Sequence, residues 1–399
     1  MIETSTAPVA RQITLRTVLR TVLDHGPISR AELARLTGLS KQTMSDVVRE
    51  LEEGDWLRVT GRTQGNVGRS AVNYEIQGRR ALVFGVDLGG TKIHAALADM
   101  SGTRISETKE ATDPRGGLHV LDQIARLAIS LAETANVDPQ LIRIGAVGIP
   151  GAVNPRTRRL IMVPNITGFD QLPFEDELAR RTGFPIIAGN DVNMAAKGEQ
   201  WLGEGRNTDS FVFIALGTGI GMGIINERRI VSGARGAAGE ISTLPIGADP
   251  FDGRTFHSGA LESAIGSIGI CARYVGLGGE ANLTVREIFD RIAQGDTAAI
   301  AVVDEVARTM AQGILAVSAV VDPERIIFGG SVGARTELVE RVVHYLARCM
   351  PQPVECTISN LGSSAGLFGS IATGLDRLRE VLFDLPSHIT ETTPAESAE

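Results

Sequence analysis

Two short glycine-rich turns contain the residue types that bind phosphate. Their candidate phosphate-binding residues are Asp87, Gly89, Gly90, Thr91 and Lys92 in the first turn, and Gly217, Thr218 and Gly219 in the second. Glycines allow backbone N–H groups to approach phosphate oxygens, and the threonine and lysine side chains add a hydroxyl donor and a positive charge. Either turn alone is typical of an ordinary hairpin. Because segments 84–99 and 213–228 repeat one strand-turn-strand pattern, the two turns together predict a phosphate site between related lobes.

Between these turns, an apolar strand leads to Asn190 and Asp191 at the start of a helix. A carboxylate at this position can accept a proton from a hydroxyl that attacks a phosphoryl group, which makes Asp191 a candidate catalytic base. The alternative is that Asn190 or Asp191 only caps the helix. A third element, Gly329 and Gly330, ends another apolar strand and leaves room for a flat nucleotide base beside the backbone.

The first 80 residues have the element order of a winged helix-turn-helix domain. Apolar residues at helical spacing predict a first helix that ends before Gly26. Ser29 and Ser40 are predicted to cap a short second helix and a third helix with one apolar stripe. Two strands, around 56–60 and 72–76, follow and enclose a loop rich in glycine and arginine.

The third helix of such a domain enters the major groove of DNA, and the loop between the strands contacts the minor groove or the backbone. The candidate DNA-binding residues are Ser40, Lys41, Gln42, Thr43, Ser45, Arg49, Arg62 and Arg69. Gln42 and Thr43 suit base edges, whereas the basic side chains suit phosphates. The alternative is that the domain binds a protein instead of DNA.

The net charge of the 399-residue chain is −8, which taken over the whole chain argues against a nucleic acid partner. The charge is unevenly distributed, however. Residues 1–80 contain 12 Lys and Arg against 9 Asp and Glu, whereas the remainder has a net charge of −11. This asymmetry indicates a small basic module joined to a larger acidic one near residue 80.

Cysteine spacing and hydropathy exclude several other classes of protein. Cys271, Cys349 and Cys356 form no CxxC pattern, so neither a disulfide framework nor a cysteine zinc site is expected. The sequence has no run of about 18 uncharged apolar residues, and its first residues lack an apolar signal core. We therefore expect no membrane segment and a cytoplasmic location.

Three strings in the sequence resemble the ROK family of bacterial repressors, open reading frames and sugar kinases. They are DLGGTK from residue 87, GNDVNMAAKGE from residue 189 and LGTGIGMGIINERRIVSGARGAAGE from residue 216. The resemblance covers residues 11–380 and implies an α/β fold, in which a winged helix-turn-helix domain precedes a two-lobed, actin-like domain.

The resemblance also implies what each lobe binds. ATP phosphates would meet the two glycine turns, and a sugar would lie beside Asn190 and Asp191. By the same resemblance, Asn165, Glu240 and Glu262 match positions that hold sugar hydroxyls. Carboxylates and amides suit this role because each can form two hydrogen bonds with hydroxyl groups.

One departure from the family pattern concerns zinc. Family members usually carry a structural zinc site of one histidine and three cysteines after the Gly-Glu pair. The corresponding positions here hold Thr243, Gly253, Thr255 and Ala260. We therefore expect neither a structural zinc nor another metal site, since a substitute around His257 has no supporting spacing. The loop 245–259 is instead predicted to be held by packing of Phe251 and Phe256.

These features predict the following domain boundaries. The predicted units are tails at 1–10 and 384–399, a DNA-binding domain at 11–77 and a sugar-kinase-like domain at 81–383. Within the latter, lobe one is about 81–194 with a return at about 361–383, and lobe two is about 195–360.

The predicted function is that of a sugar-responsive transcriptional repressor of carbohydrate uptake or catabolism genes. It would bind a palindromic operator as a homodimer or homotetramer, respond to a sugar or oligosaccharide, and require no cofactor. The alternative is a glucokinase-like sugar kinase, dependent on ATP and Mg²⁺, with an attached DNA-binding domain. This alternative stays open because Asp191 and the phosphate turns are intact.

Overall fold

The N-terminal part of the chain folds as a winged helix-turn-helix domain. The computed structural model describes residues 9–63, 71–154, 156–157, 159–161, 166, 168–169 and 172–383. The elements of this domain are α1 (Val9–His25), β1 (Ile28–Ser29), α2 (Arg30–Thr37), α3 (Lys41–Glu53), β2 (Leu57–Thr63) and β3 (Ala71–Ile76).

Local hydrogen bonds explain where α2 and α3 begin. The Ser29 hydroxyl accepts a hydrogen bond from the Glu32 N–H at 3.3 Å, and the Ser40 hydroxyl accepts one from the Thr43 N–H at 3.1 Å. Each cap of this kind contributes about 1 kcal/mol to helix stability. Gly38 follows α2 with φ of 71°, in the left-handed region that favours glycine. The two predicted caps are confirmed.

The core of this domain lies between its helices and a small sheet. The buried side chains of α3 are Met44, Val47, Val48 and Leu51, which form the apolar stripe expected from their spacing. The sheet has the order β1-β3-β2, with Ile28 paired with Tyr74. Sequence analysis did not predict β1, because a strand of two residues has no readable periodicity.

The first lobe of the larger domain is built on a five-stranded sheet. The chain forms β4 (Leu82–Leu88), β5 (Lys92–Asp99), β6 (Arg104–Ala111), α4 (Gly117–Thr134), β7 (Ile142–Ile149), β8 (Ala152–Val153), β9 (Leu160–Ile161), α5 (Phe174–Thr182), β10 (Ile186–Asn190) and α6 (Asp191–Leu202). The sheet order is β10-β7-β4-β5-β6. The hairpin β4–β5 is antiparallel, and β4 pairs with β7 in parallel.

The second lobe repeats this arrangement. Its elements are β11 (Phe211–Leu216), β12 (Ile220–Asn226), β13 (Arg229–Ile230), α7 (Ala260–Ile265), α8 (Ser267–Gly276), α9 (Val285–Ile292), α10 (Thr297–Val321), β14 (Arg325–Gly329), α11 (Thr336–Cys349) and β15 (Glu355–Ile358). The sheet order is β13-β12-β11-β14-β15, again with an antiparallel hairpin, β11–β12, beside a parallel strand, β14. The two hairpins are the segments whose sequences repeat.

The last helix, α12 (Ala365–Phe383), returns to the first lobe and packs against α6. A Cβ atom at Gly369 would lie 1.6 Å from the Met194 carbonyl oxygen, and one at Gly198 would lie 2.2 Å from the Ala365 carbonyl oxygen. Because both positions are glycine, the backbones of the two helices can touch.

The C-terminal half of α12 also reaches the winged helix. Leu378 and Leu382 belong to the same hydrophobic core as Leu15, Val18 and Val22 of α1. The two domains therefore share a core rather than being joined only by a linker. Within the described part of the chain, no helix is long and apolar enough to cross a membrane.

The loop before α7 is not held as the sequence predicted. Phe251 is 94% exposed and Phe256 is 81% exposed, so the expected packing of these two rings is wrong. The buried side chain in this loop is Thr255, whose single hydroxyl proton is shared between the carbonyl oxygens of Asp249 at 2.9 Å and Asp252 at 2.8 Å. Hydrogen bonds to the backbone thus take the place of apolar packing.

Candidate ligand-binding cleft

A cavity of about 880 Å³ is lined by residues of both lobes. The predicted site residues that line it are Asn190, Asp191, Gly217, Gly219, Glu240, Glu262 and Gly330. They come from the start of α6, from the β11–β12 turn, from the segments before and within α7, and from the end of β14. Residues that are up to 140 positions apart in sequence therefore meet in one cleft.

Other predicted ligand-binding residues lie off the cavity wall. These are Asp87, Gly89, Gly90, Thr91, Lys92, Thr218 and Gly329. A Cβ atom at Gly329 would lie 2.4 Å from the ring of Phe213, so close packing is reason enough for a glycine there. Asn165, a predicted sugar-binding residue, lies outside the described residues.

Asn190 caps α6 and positions Asp191. The Asn190 side-chain oxygen accepts a hydrogen bond from the Asn193 N–H at 2.9 Å, and its amide nitrogen donates to the Gly151 carbonyl oxygen at 2.8 Å. One oxygen of the Asp191 carboxylate accepts a hydrogen bond from the Val192 N–H at 2.8 Å. The helix cap that the sequence left open as an alternative is therefore present at Asn190, and it leaves Asp191 on the cleft wall.

Burial raises the pKa of carboxyl groups in and beside the cleft. Burial raises the pKa of Asp191 to about 7, and the negative charges of Asp87 and Glu240 act in the same direction. Burial also raises the pKa of Asp87 to about 6, against the opposing effect of the Lys92 ammonium group. A carboxylate with a pKa near neutrality is suited to take up a proton from a bound hydroxyl.

Glu240 and Glu262 line the same cavity as Asp191. Burial raises the pKa of Glu240, with a further contribution from the charge of Glu262. Burial also raises the pKa of Glu262, although its carboxylate accepts a hydrogen bond from the Ile220 N–H at 2.9 Å. A Cβ atom at Gly219 would lie 2.3 Å from that carboxylate. Gly219 is therefore required to bring Glu262 against the β11–β12 turn.

Several polar residues of the cleft were not predicted as ligand-binding residues. Ser242, His257 and Ser258 line the cavity, as does the backbone of Gly151. None of them lies in a motif or a periodic segment. Among these residues, the sequence singled out only His257, and then for a metal site that its spacing did not support.

The predicted DNA-binding face of α3 is largely exposed. Ser40, Lys41, Gln42 and Arg49 are exposed, whereas Thr43 and Ser45 are partly buried. The Gln42 amide donates to the Asp46 carboxylate at 3.3 Å, and Arg49 forms an ion pair with the same carboxylate at 2.8 Å. Two candidate DNA-binding side chains thus share one intramolecular partner. Arg69 and the side chain of Arg62 lie outside the described residues.

No group of three or more His, Cys, Asp or Glu side chains within the described ranges is arranged to hold a metal ion. The positions named above for the family's zinc ligands contribute to structure in other ways. Thr255 fastens the loop before α7, and the Thr243 hydroxyl donates to the Glu240 carbonyl oxygen at 2.9 Å.

The chain has a winged helix joined to a two-lobed domain, with a carboxylate-lined cleft between the lobes. These features define a protein class that combines a DNA-binding-type module with a sugar-kinase-type domain. The chain belongs to the ROK family, whose model matches residues 83–376. A MarR family model matches residues 16–70. The winged helix places the chain among the transcriptional regulators of the family.

Individual relatives include both regulators and kinases. The chain is 26% identical to a xylose repressor of Caldicellulosiruptor bescii over 345 residues, which cover 82% of this chain and 85% of that protein. It is 31% identical to a glucokinase of Halalkalibacterium halodurans over 306 residues, 71% of this chain and 92% of that protein. Among the matched xylose repressors, the aligned share of the relative ranges from 59% to 85% of its length.

A solved structure supports the arrangement of the whole fold. The ROK family transcriptional regulator described as a homologue of the E. coli MLC protein superposes with a TM-score of 0.75 at 23% identity. The superposition covers 94% of this chain and 98% of that one. The winged helix and both lobes therefore have counterparts in one solved chain.

Proposed function

We propose that this protein is a sugar-responsive repressor that binds a palindromic operator and controls genes of carbohydrate uptake or catabolism. The observation that carries the proposal is that one helix, α12, packs both on α6, which carries the cleft residue Asp191, and on α1 of the winged helix. Such a helix gives ligand binding a physical route to the DNA-binding surface. The xylose repressors among the relatives favour a sugar as the ligand. The site of action would be the cytoplasm, where operator DNA is found.

The cleft has the chemistry that a sugar requires. Asp191, Glu240 and Glu262 each supply carboxylate oxygens that accept hydrogen bonds from hydroxyl groups. The three groups lie on different elements, so together they can bind hydroxyls on several sides of one ring. A site built from buried acceptors discriminates strongly against ligands that leave an acceptor unpaired.

Coupling to DNA would run through α12. At its N-terminal end, a Cβ atom at Gly366 would lie 2.9 Å from the Asp87 carboxyl carbon, so the helix begins against the carboxylate whose charge acts on Asp191. Its C-terminal half packs on α1. At 1.5 Å per residue, the 19 residues of α12 span about 28 Å. A sugar that binds one arrangement of the lobes better than the other would shift α12 and, in a homodimer or homotetramer, the spacing of the winged helices.

Binding to DNA from the protein's own promoter region tests the proposal. We expect the full-length protein to shift this DNA in a gel and at least one sugar of a panel to change the apparent affinity. Gln42→Ala should weaken binding about 5- to 100-fold, because a glutamine at the start of the recognition helix reads base edges. The matched control is Gln294→Ala, which removes an exposed glutamine of the second lobe. Absence of any sugar effect on the shift would contradict the proposal.

A second candidate function is ATP-dependent phosphorylation of a sugar. It is favoured by the position of Asp191 on the cleft wall, with a pKa raised to about 7, close to the value at which a general base works best. The β4–β5 and β11–β12 turns would hold the phosphates of ATP. The Asp87 carboxylate suits Mg²⁺, which prefers oxygen ligands and neutralises phosphate charge when bound.

Release of ADP over a panel of hexoses and amino sugars tests this second function. If the protein is a kinase, we expect sugar-dependent ADP release that falls at least 100-fold in Asp191→Asn, since general base catalysis contributes about 10²- to 10⁴-fold. ADP release that is equal in the wild type and in Asp191→Asn would come from a contaminant. If no sugar causes the wild type to release ADP, the second function is wrong and only the regulatory function remains.

A further inference from the structure

The loop between Asp249 and Ser258 reaches the cleft at its end and is held by hydrogen bonds to its own backbone. The Thr255 hydroxyl shares its proton between the carbonyl oxygens of Asp249 and Asp252, and its carbonyl oxygen accepts a hydrogen bond from the Gly259 N–H at 2.7 Å. The following residues, His257 and Ser258, line the cavity. This fastening by hydrogen bonds sets the position from which the two side chains meet a ligand.

The polar side chains of the cleft are mostly acceptors or are already engaged. Glu240 and Glu262 are acceptors when ionised. Asn190 donates to the Gly151 carbonyl oxygen, and the hydroxyl of Ser258 is hydrogen-bonded to that of Ser263 at 2.8 Å. Sugar oxygens also accept hydrogen bonds, so a sugar in this cleft requires donors.

His257 is placed to supply such a donor. Its side chain is exposed to the cleft, and neither ring nitrogen is hydrogen-bonded to a residue that the structure describes. The Phe256 ring stands edge-on to the imidazole, with centroids 5.2 Å apart and an interplanar angle of 84°. An edge-to-face contact of this kind favours this relative orientation of the two rings. Phe256 is 81% exposed and therefore contributes little to the core, so its contact with His257 is the role that its position allows.

We propose that His257 is a specificity-determining residue that hydrogen-bonds a hydroxyl of the bound sugar, and that Phe256 is its positioning residue. The inference rests on the proposed function, because it takes the ligand of the cleft to be a sugar. Each imidazole carries at least one N–H and, when neutral, one acceptor nitrogen, so His257 can both donate to and accept from hydroxyl groups. His257 therefore distinguishes sugars that differ in the configuration of the hydroxyl that it contacts.

Isothermal titration of the full-length protein tests this role. The probes are D-glucose, D-xylose and N-acetyl-D-glucosamine, followed by the monodeoxy derivatives of whichever sugar binds the wild type. We expect His257→Ala to weaken binding of that sugar about 3- to 10-fold, as for loss of one hydrogen bond. One deoxy derivative lacks the hydroxyl that His257 contacts, and the wild type should bind it more weakly than the parent sugar. In His257→Ala, this derivative and the parent sugar should bind equally well, because the partner of the hydroxyl is absent.

Three further variants separate this role from a merely structural one. His257→Gln keeps a donor and an acceptor and should recover part of the affinity. Phe256→Ala should give an intermediate loss, whereas the matched control Phe251→Ala, at a ring that is 94% exposed, should not change binding. If His257→Ala retains the wild-type affinity for the sugar and every deoxy derivative, the inference is wrong while the proposed function stands. If the wild type binds none of the three sugars, neither the sugar-sensing proposal nor this inference stands.

Discussion

Gly369→Ala is expected to destabilise the protein by about 3 kcal/mol or more. The added Cβ atom would lie 1.6 Å from the Met194 carbonyl oxygen and 2.4 Å from the Met194 carbonyl carbon. Both are backbone atoms of α6, so no side chain can move aside, and α6 and α12 must separate. Since α6 carries Asp191 at its start, the same change should also weaken ligand binding. Urea unfolding and sugar titration measure the two effects.

The matched control is Gly276→Ala at the end of α8. A Cβ atom there would have no neighbour within 4 Å, and alanine is a better helix former than glycine. We expect its free energy of unfolding to stay within about 1 kcal/mol of the wild type. Equal stability of the two variants would contradict the close approach of α6 and α12.

Asp191→Asn is expected to weaken sugar binding about 10- to 100-fold, the usual effect of losing a hydrogen bond to a charged group. The side-chain oxygen of the substituted asparagine can keep the hydrogen bond from the Val192 N–H, which in the wild type is accepted by one carboxylate oxygen. The amide nitrogen then takes the position of the other oxygen and presents a donor where the carboxylate accepts. Asp209→Asn is the control, because the side chain of Asp209 is 76% exposed on the second lobe. If Asp191→Asn binds the sugar with wild-type affinity, Asp191 is not part of the binding site.

The same variant should change how stability depends on pH. The pKa of Asp191 is raised from the ordinary value of 3.8 to about 7 in the folded protein, so the folded state binds this proton more tightly than the unfolded state. The wild type therefore loses stability as the pH rises from about 4 to about 7. Asparagine carries no charge at any pH, so we expect Asp191→Asn to gain on the order of 2 kcal/mol over the wild type between pH 5 and pH 8. Thermal melts at the two pH values check this, and an unchanged difference in Tm would contradict it.

Local features of the chain were readable from the sequence because they depend on neighbours. Ser29 and Ser40 cap helices through residues three positions ahead, and the stripe from Met44 to Leu51 follows from the pitch of a single helix. The repeated strand-turn-strand segments likewise form hairpins whose strands adjoin in sequence. Asn190 shows the limit of this reasoning, since its role as a cap and its place on the cleft wall are both real.

The loop before α7 shows why other features could not be predicted in this way. Phe251 and Phe256 are apolar residues of the kind that form a small core, yet both rings face solvent. Thr255 occupies the buried position instead, and its hydroxyl is hydrogen-bonded to two backbone carbonyl oxygens. Whether a side chain is buried depends on what the rest of the chain places around it. No sequence pattern within ten residues predicts which of these side chains is buried.

The amino-acid sequence was sufficient for the family resemblance and for the helix caps, which follow from residue type and short spacing. The carboxylates of the cleft came from residue type at Asp191 and from the family resemblance at Glu240 and Glu262. The contact between Gly369 and Met194, the place of His257 on the cleft wall and the shared core of α12 and α1 came from the folded chain alone. Each of these joins residues that are distant in sequence, and such pairs meet only when the sheets and helices between them have packed. The division of charge near residue 80 separates the two domains in sequence, but α12 joins them in space.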